Sequence, residues 1–478
     1  MALTSSAYLS EVQGNIRDRP IPWEGAVRAG NLTENQLQKI KAVDKVRKEV
    51  RKATIEDDLD GYSTLLVGGA AGASVLQKAA KRADLVQYIL VLATDLITDV
   101  PSLAAAIISQ PAPYKYFLDF LSQSNKAEDA VGLHAATFLV ALVSASIAAS
   151  TKPQARDDEV LPRLYVYLAA LVKHDDAALQ DIAVQHYSLL LQGKRSKELF
   201  WKQRHDTVGP LFQILRRATG SAKDSDSTVW NGAPSVRSVD TRFGGGVGLQ
   251  LMYHVLLVLW QLSFEAQLVG PGLEKDEEVV SLYTQLLRIS PKEKTTRLLL
   301  STLNFLLSAN QQTLIPAATT ARLPALLSNL SARHLSDPDL IEDLNEVKSM
   351  LDEYTKNQTT FDEYADEVRS GHLHWSPPHR NPTFWRENSR RILEDKKAEL
   401  PRKLAEILAK PWEADKQVLA IGSNDVGNLV REVPEQRSAL EALGLKVRIM
   451  ELMTDPDESV RWEALKALGE WLRYSADR

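Results

Sequence analysis

At 478 residues the chain is too long for one ordinary core, since single cores stop growing near roughly 250–300 residues; it holds several domains or a one-dimensional stack of repeats. Its net charge is only −5, with acids and bases interspersed, which argues against a nucleic-acid binder with its basic stripe. It has no cysteine, which excludes disulfide scaffolds, thiol nucleophiles and cysteine zinc sites and permits a reducing compartment.

The first residues, Met1-Ala-Leu-Thr-Ser-Ser, lack a basic stretch followed by an apolar core, so no signal peptide is expected. Helical periodicity then runs through 84–98, 163–173, 179–192, 294–308, 402–409 and 460–472, while sustained alternation and hairpin-turn signals are almost absent. Asp84, Asp129 and Asp176 each open an apolar stripe, at spacings of 45 and 47 residues. That matches the ~40–47-residue period of HEAT and armadillo units. The expected fold is all-α, a HEAT/armadillo-like α-solenoid in two domains joined by a short linker.

Residues 130–151 and 243–264 each run 22 residues without Asp, Glu, Lys or Arg, close to the ~20 that cross a bilayer. Gly132, His134 and Ser144 dilute the first; a glycine triplet opens the second, and Gln250, His254 and Gln261 follow on one helix face. Both read as buried helices of the stack rather than membrane spans. Residues 219–248, with six glycines and five serines, read as a long mobile loop.

After a helix over 338–354, Lys356-Asn-Gln-Thr-Thr marks a domain boundary, giving an N-terminal solenoid of residues 1–355 and a C-terminal HEAT-like domain of 356–478. Next, Pro377, Pro378 and Pro382 sit between Trp375 and Trp385. They read as a rigid, non-helical joint, its tryptophans packed into the first turn of the second domain. Near the end, Pro456 closes one helix, and Val460, Ala464, Leu465 and Leu468 form the buried stripe of the next.

No catalytic constellation emerges. The glycine-rich runs at 68–74 and 243–248 lack the Gly-Lys-Ser/Thr ending of a phosphate cradle. Asp58-Leu-Asp60-Gly61 resembles a calcium loop, but its twelfth position is Val67 rather than an acid. His372, His374 and His379 have no suitable fourth ligand near them in sequence and read as joint-packing residues. Neither G-x-S-x-G nor H-E-x-x-H occurs. The chain is expected to bind protein partners and to need no cofactor, no metal and no active site of its own.

Two binding roles compete. An armadillo-type peptide or cargo adaptor would present a ladder of Trp and Asn, and only Trp385…Asn388 has that look. The other role comes from motifs. Trp375-Ser-Pro-Pro-His379, Phe384-Trp-Arg-Glu-Asn388, Thr360-Phe-Asp-Glu-Tyr364, Asn424-Asp-Val-Gly427 and Val460-Arg-x-Glu-Ala-Leu-Lys-Ala467 together resemble the H subunit of the vacuolar (V-type) proton ATPase. Ile16-Arg-x-x-x-Ile-Pro-Trp23 and Gln250–Phe264 add a weaker likeness in the first half. The resemblance implies a non-catalytic regulatory subunit, needed for the activity of the assembled pump and inhibiting ATP hydrolysis by the detached soluble sector. Its implied partners are peripheral-stalk subunits E and G, the cytosolic domain of the a subunit, and, on detachment, the B subunit and the central rotor. Its implied location is the cytosolic face of vacuolar and other endomembranes. The inhibitory contact would be a loop between two C-terminal helices, here Lys410, Pro411, Trp412, Glu413, Asp415 and Lys416, which departs in length from other members.

Overall fold

The computed structural model describes residues 6–69, 72–123, 128–149, 155–220, 248–290, 292–357, 360–413 and 415–473. The loop expected at 219–248 lies almost wholly outside them. Among the described residues the architecture is all-α, with no strand beyond isolated bridges. The predicted helices appear as Ala83–Asp99, Ala155–Val172, Ala177–Leu190, Glu293–Ala309, Glu399–Ala409 and Glu458–Arg473.

The chain separates into two compact units, one running to Ala218 and including the helix up to Glu265, the other from Ala266 onwards. In the first, Ala83–Asp99, Ala130–Ala149, Ala177–Leu190 and Leu249–Ser263 pack each on the next, so the aspartate period does mark a repeat. The aspartates differ in their work. Asp176 caps its helix by accepting the Ala178 N–H, which satisfies an orphan donor. Asp84 lies inside the first turn and pairs with Arg82 at 2.7 Å.

Helix Ala130–Ala149 is long and apolar enough to cross a membrane, as is the bent pair Ala83–Asp99 and Pro101–Ser109, broken by 110°. Two-thirds (67%) of the apolar window in Ala130–Ala149 is nevertheless buried within the protein. The polar residues of Leu249–Ser263 also have partners in that stack. His254 Nδ1 meets Asp181 at 2.5 Å and Gln261 donates to the Ser188 carbonyl at 3.1 Å, whereas Gln250 is exposed.

In the second unit, Glu293–Ala309 packs on Pro338–Asn357, Thr360–Ser370 on both Gln311–Thr320 and Glu399–Ala409, and Gln417–Glu432 on Pro382–Glu394 and Glu458–Arg473. Helix Pro338–Asn357 ends just before Thr360–Ser370 begins, and the Tyr354 hydroxyl donates to Asp366 across that gap.

Two expectations change. Pro377 and Pro382 each open a helix, Pro377–Arg380 and Pro382–Glu394. The first turn needs no N–H donor, and a fixed φ suits it. Pro162, Pro210, Pro271 and Pro316 even lie within helices, so proline alone does not mark a break here. In Glu458–Arg473 the buried stripe is Val460, Ala464, Ala467 and Trp471, while Leu468 is partly buried and Leu465 points out, 53% exposed. Trp471 is large enough to take the inner position, which rotates the stripe away from Leu465.

Candidate functional site

The motif blocks of the second half, far apart in sequence, meet in one core. Tyr364 stands edge-on to His379 and Trp385, with ring centroids 5.5 and 5.3 Å away, and 5.4 Å from Phe384. Asn381 caps helix Pro382–Glu394 through the Thr383 and Phe384 N–H groups, which sets Trp385 inward at 1% exposure. Trp385 Nε1 and Asn424 Nδ2 both donate to the His379 carbonyl, at 3.3 and 3.0 Å. Gly427 is needed because a Cβ there would lie 3.0 Å from the Ala467 Cα, inside the closest packing that two helix backbones tolerate.

At the centre of this core is a buried charge cluster. His379 Nδ1 lies 2.8 Å from Asp425 Oδ1, and its Nε2 lies 3.2 Å from Glu367 Oε1. Glu367 also accepts the Ser376 hydroxyl at 2.7 Å and the His374 N–H. Burial opposes the charge on His379, but Asp425 and Glu367 outweigh it and push the imidazolium up to about 10. Burial likewise opposes ionisation of Glu367, yet His379, Ser376 and the His374 N–H hold it low. Asp425, fully enclosed, is pushed up by burial. His379 has no accessible side-chain surface. The cluster ties three helices together, Thr360–Ser370, Pro377–Arg380 and Gln417–Glu432, and removing one member would leave a charge buried without its partner.

The loop between Glu399–Ala409 and Gln417–Glu432 is anchored on this core. Trp412 turns inward, 4% exposed, and its Nε1 donates to the Ile407 carbonyl at 2.7 Å. Its φ of 46° turns the chain sharply there, a conformation that a large residue keeps only when its surroundings hold it. The His372 ring, centroid 6.1 Å away, and Lys410 Nζ, 5.4 Å from the ring, flank it. Lys416 ties the other end, bonding the Pro411 carbonyl at 3.1 Å and Asp455 at 3.0 Å. Asp415 is half-buried, and burial pushes its carboxyl up. Its N–H donates to the Trp412 carbonyl at 3.1 Å, which closes the turn. Of the six expected contact residues, Lys410, Pro411 and Glu413 are exposed, Asp415 and Lys416 are half-buried, and Trp412 is an anchor. Ala414 lies outside the described residues.

The other sequence candidates are engaged elsewhere. Asp58 caps its own helix through the Gly61 N–H at 3.1 Å and pairs with Lys39 at 2.7 Å. His372 faces Glu278 at 3.7 Å, while the His374 N–H goes to Glu367. What sequence reasoning missed is the pairing of His379 with Asp425 and Glu367. The signal was present in the co-occurrence of W-S-P-P-H and N-D-V-G, each of which supplies one member.

Models described as the H subunit of the V-ATPase match residues 7–351 and 357–475. The chain belongs to the V-ATPase H-subunit family. It is 27% identical over 475 residues to the V-type proton ATPase H subunit of Drosophila melanogaster, covering 98% of this chain and 90% of that one. A probable H subunit of the V-type proton ATPase from Oryza sativa subsp. japonica is 24% identical, with 94% of each chain covered. The first of two probable H subunits from Caenorhabditis elegans is 34% identical over 225 residues, 46% of this chain and 49% of that one. A designed armadillo repeat protein aligns at 14% identity with a TM-score of 0.27, covering 64% of this chain and 99% of its own; the fold rests on the helices themselves rather than on that likeness. The two H-subunit family models meet between residues 351 and 357, whereas the compact units divide after Glu265. The packing of Thr360–Ser370 on Gln311–Thr320 accounts for the difference, because it joins residues on both sides of the family boundary.

Proposed function

We propose that this chain is a non-catalytic regulatory subunit of the soluble ATP-hydrolysing sector of the vacuolar proton ATPase. It is required for activity of the assembled pump and inhibits ATP hydrolysis when the sector detaches. The observation that carries this reading is membership of the H-subunit family over both halves of the chain. The anchored Lys410–Lys416 turn supports it: a loop already held by Trp412 and Lys416 has little freedom left to lose on binding.

On this reading the N-terminal domain, 1–355, grips peripheral-stalk subunits E and G. The C-terminal domain, 356–478, meets the cytosolic domain of the a subunit in the assembled pump, and the B subunit and the central rotor after detachment. The chain works at the cytosolic face of vacuolar and other endomembranes. A domain with alternative partners on stationary and turning elements acts by population shift: assembly supplies one site and detachment removes it.

The test is to purify the detached sector without this chain and add the chain back, and to assay proton pumping by the assembled enzyme with and without it. Lower hydrolysis in the first assay and chain-dependent pumping in the second are expected. Unchanged hydrolysis together with chain-independent pumping overturns the reading.

A further inference from the structure

Two tetrads of one pattern, a hydroxyl residue followed by Asp-Pro-Asp, occur in the chain: Ser336-Asp-Pro-Asp339 and Thr454-Asp-Pro-Asp457. Each stands at the start of a helix, the first at Pro338–Asn357 and the second at Glu458–Arg473. A hydroxyl with an acid three residues later is what protein kinases with a basic substrate site select, because such enzymes read charge patterns. By sequence the two tetrads are equivalent acceptors, and both hydroxyl residues are exposed. Their surroundings differ.

At the first tetrad the whole pattern is already engaged. The Ser336 hydroxyl donates to the Glu293 carboxylate at 2.7 Å, and the Ser336 and Asp337 N–H groups go to the same carboxylate. Asp337 pairs with Arg297 at 3.2 Å, and Asp339 pairs with the same guanidinium. A phosphate on Ser336 would be built against Glu293, which like-charge repulsion opposes. The acids that a kinase would read there are matched by an arginine.

At the second tetrad the pattern is open. The Thr454 hydroxyl donates to a neutral acceptor, the Glu451 carbonyl, at 2.9 Å. Asp455 is committed to Lys416 at 3.0 Å, but the two acids beyond the proline are not committed to any cation. Asp457 accepts the Val460 N–H at 3.1 Å as a helix cap. Among the described residues neither it nor the exposed Glu458 has a cationic partner. The third and fourth positions after the hydroxyl therefore present negative charge that a basic surface can read.

We propose that Thr454 is a phosphorylation site for a serine/threonine kinase of the acid-directed class, and that Ser336, its twin in sequence, is not. In the transfer, Thr454 Oγ1 attacks the γ-phosphorus of ATP, the bond from that phosphorus to the ADP oxygen breaks, and the hydroxyl proton passes to the kinase's catalytic base. The product carries about −1.5 to −2 charge near neutral pH. That charge stands one residue from Asp455, beside the tie between Asp455 and Lys416. The inference goes beyond the proposed function and does not depend on it.

The test incubates the folded full chain with magnesium ATP and a purified acid-directed kinase, casein kinase 2, and follows each site by mass spectrometry. Synthetic peptides spanning residues 330–345 and 448–463 supply the two rates without the fold. The ratio of Thr454 to Ser336 modification should be about tenfold higher, or more, in the folded chain than in the peptides. Asp457→Asn removes the charge at the third position but keeps the cap, since asparagine caps as well as aspartate. It should slow modification of Thr454 by about tenfold or more. Thr454→Val should lose the site, with circular dichroism showing both variants folded. An equal ratio in chain and peptides overturns the proposal. So does a Thr454 that stays unmodified in the folded chain while its peptide is phosphorylated. Modification of Thr454 that Asp457→Asn leaves unchanged would show that the acids are not what is read, and equally overturn it.

Discussion

His379 and Asp425, 46 residues apart in sequence, meet as a fully buried ion pair at 2.8 Å, with Glu367 on the other side of the imidazole. This contact joins the short helix Pro377–Arg380 to Gln417–Glu432, the helix that follows the loop of the proposed brake.

Removing one partner of a buried pair leaves the other charge enclosed, which costs about 3–5 kcal/mol. His379→Gln should therefore lower the denaturation midpoint strongly, measured by urea unfolding followed by tryptophan fluorescence. The pH dependence has a definite sign. Folding raises the His379 pKa from 6.5 to about 10, so the native state binds the proton more tightly than the unfolded chain. This stabilisation is full below pH 6.5 and is lost as pH rises towards 10. The gap between wild type and His379→Gln should accordingly narrow over that interval.

Glu274 should behave in the opposite way to a salt-bridged carboxylate. Burial, aided by Glu278, pushes it up from 4.5 to about 7, although the Val280 N–H and His372 pull against the shift. Its ionisation opposes folding: the penalty begins above pH 4.5 and is complete above about pH 7. Glu274→Gln should raise the melting temperature at about pH 8 relative to wild type and show a smaller gain at about pH 5. A gain of equal size at both pH values would exclude this account.

The loop divides into residues that hold and residues that face outward. Trp412→Ala removes a buried aromatic side chain and should cost about 3–5 kcal/mol, visible in thermal melts of the isolated chain. Changes at exposed Lys410, Pro411 and Glu413 should stay within about 0.5 kcal/mol. Under the proposed function, replacing these three together by glycine or serine should restore hydrolysis in the detached sector while leaving the melt unchanged. Retained inhibition would move the brake elsewhere on the chain.

Two glycines in the last helices should respond with opposite signs. Gly427→Ala drives a methyl against Ala467 and should destabilise by about 1–3 kcal/mol. Gly469→Ala meets open space and should stabilise by about 0.4–1 kcal/mol through reduced freedom of the unfolded chain. Denaturant midpoints of the two variants against wild type check both.

Much of the helical stack was legible because apolar periodicity is local: Ala177–Leu190 and Glu293–Ala309 fall close to their expected limits. The role of Leu465 was not, since both it and Ala467 fit an inward stripe until Trp471 takes the inner position. The prolines of the joint misled for a related reason. Whether Pro377 breaks a helix or starts one depends on the turn before it, and residue type alone does not show that. At the candidate loop, the segment could be placed between two helices, but not the inward turn of Trp412, which depends on the Ile407 carbonyl being within reach. The charge cluster was hidden most deeply. Its members lie on three helices, and long-range pairing leaves no local periodicity.

Trp462, like Leu465, points outward from helix Glu458–Arg473. Among the described residues it is the only exposed tryptophan; Trp23, Trp260 and Trp375 are half-buried, and Trp201, Trp385, Trp412 and Trp471 are enclosed. A collisional quencher such as iodide, too polar to enter the core, should therefore reach its indole before theirs. The protein thus carries an optical reporter on helix Glu458–Arg473, and shielding of that signal would record when this helix is covered.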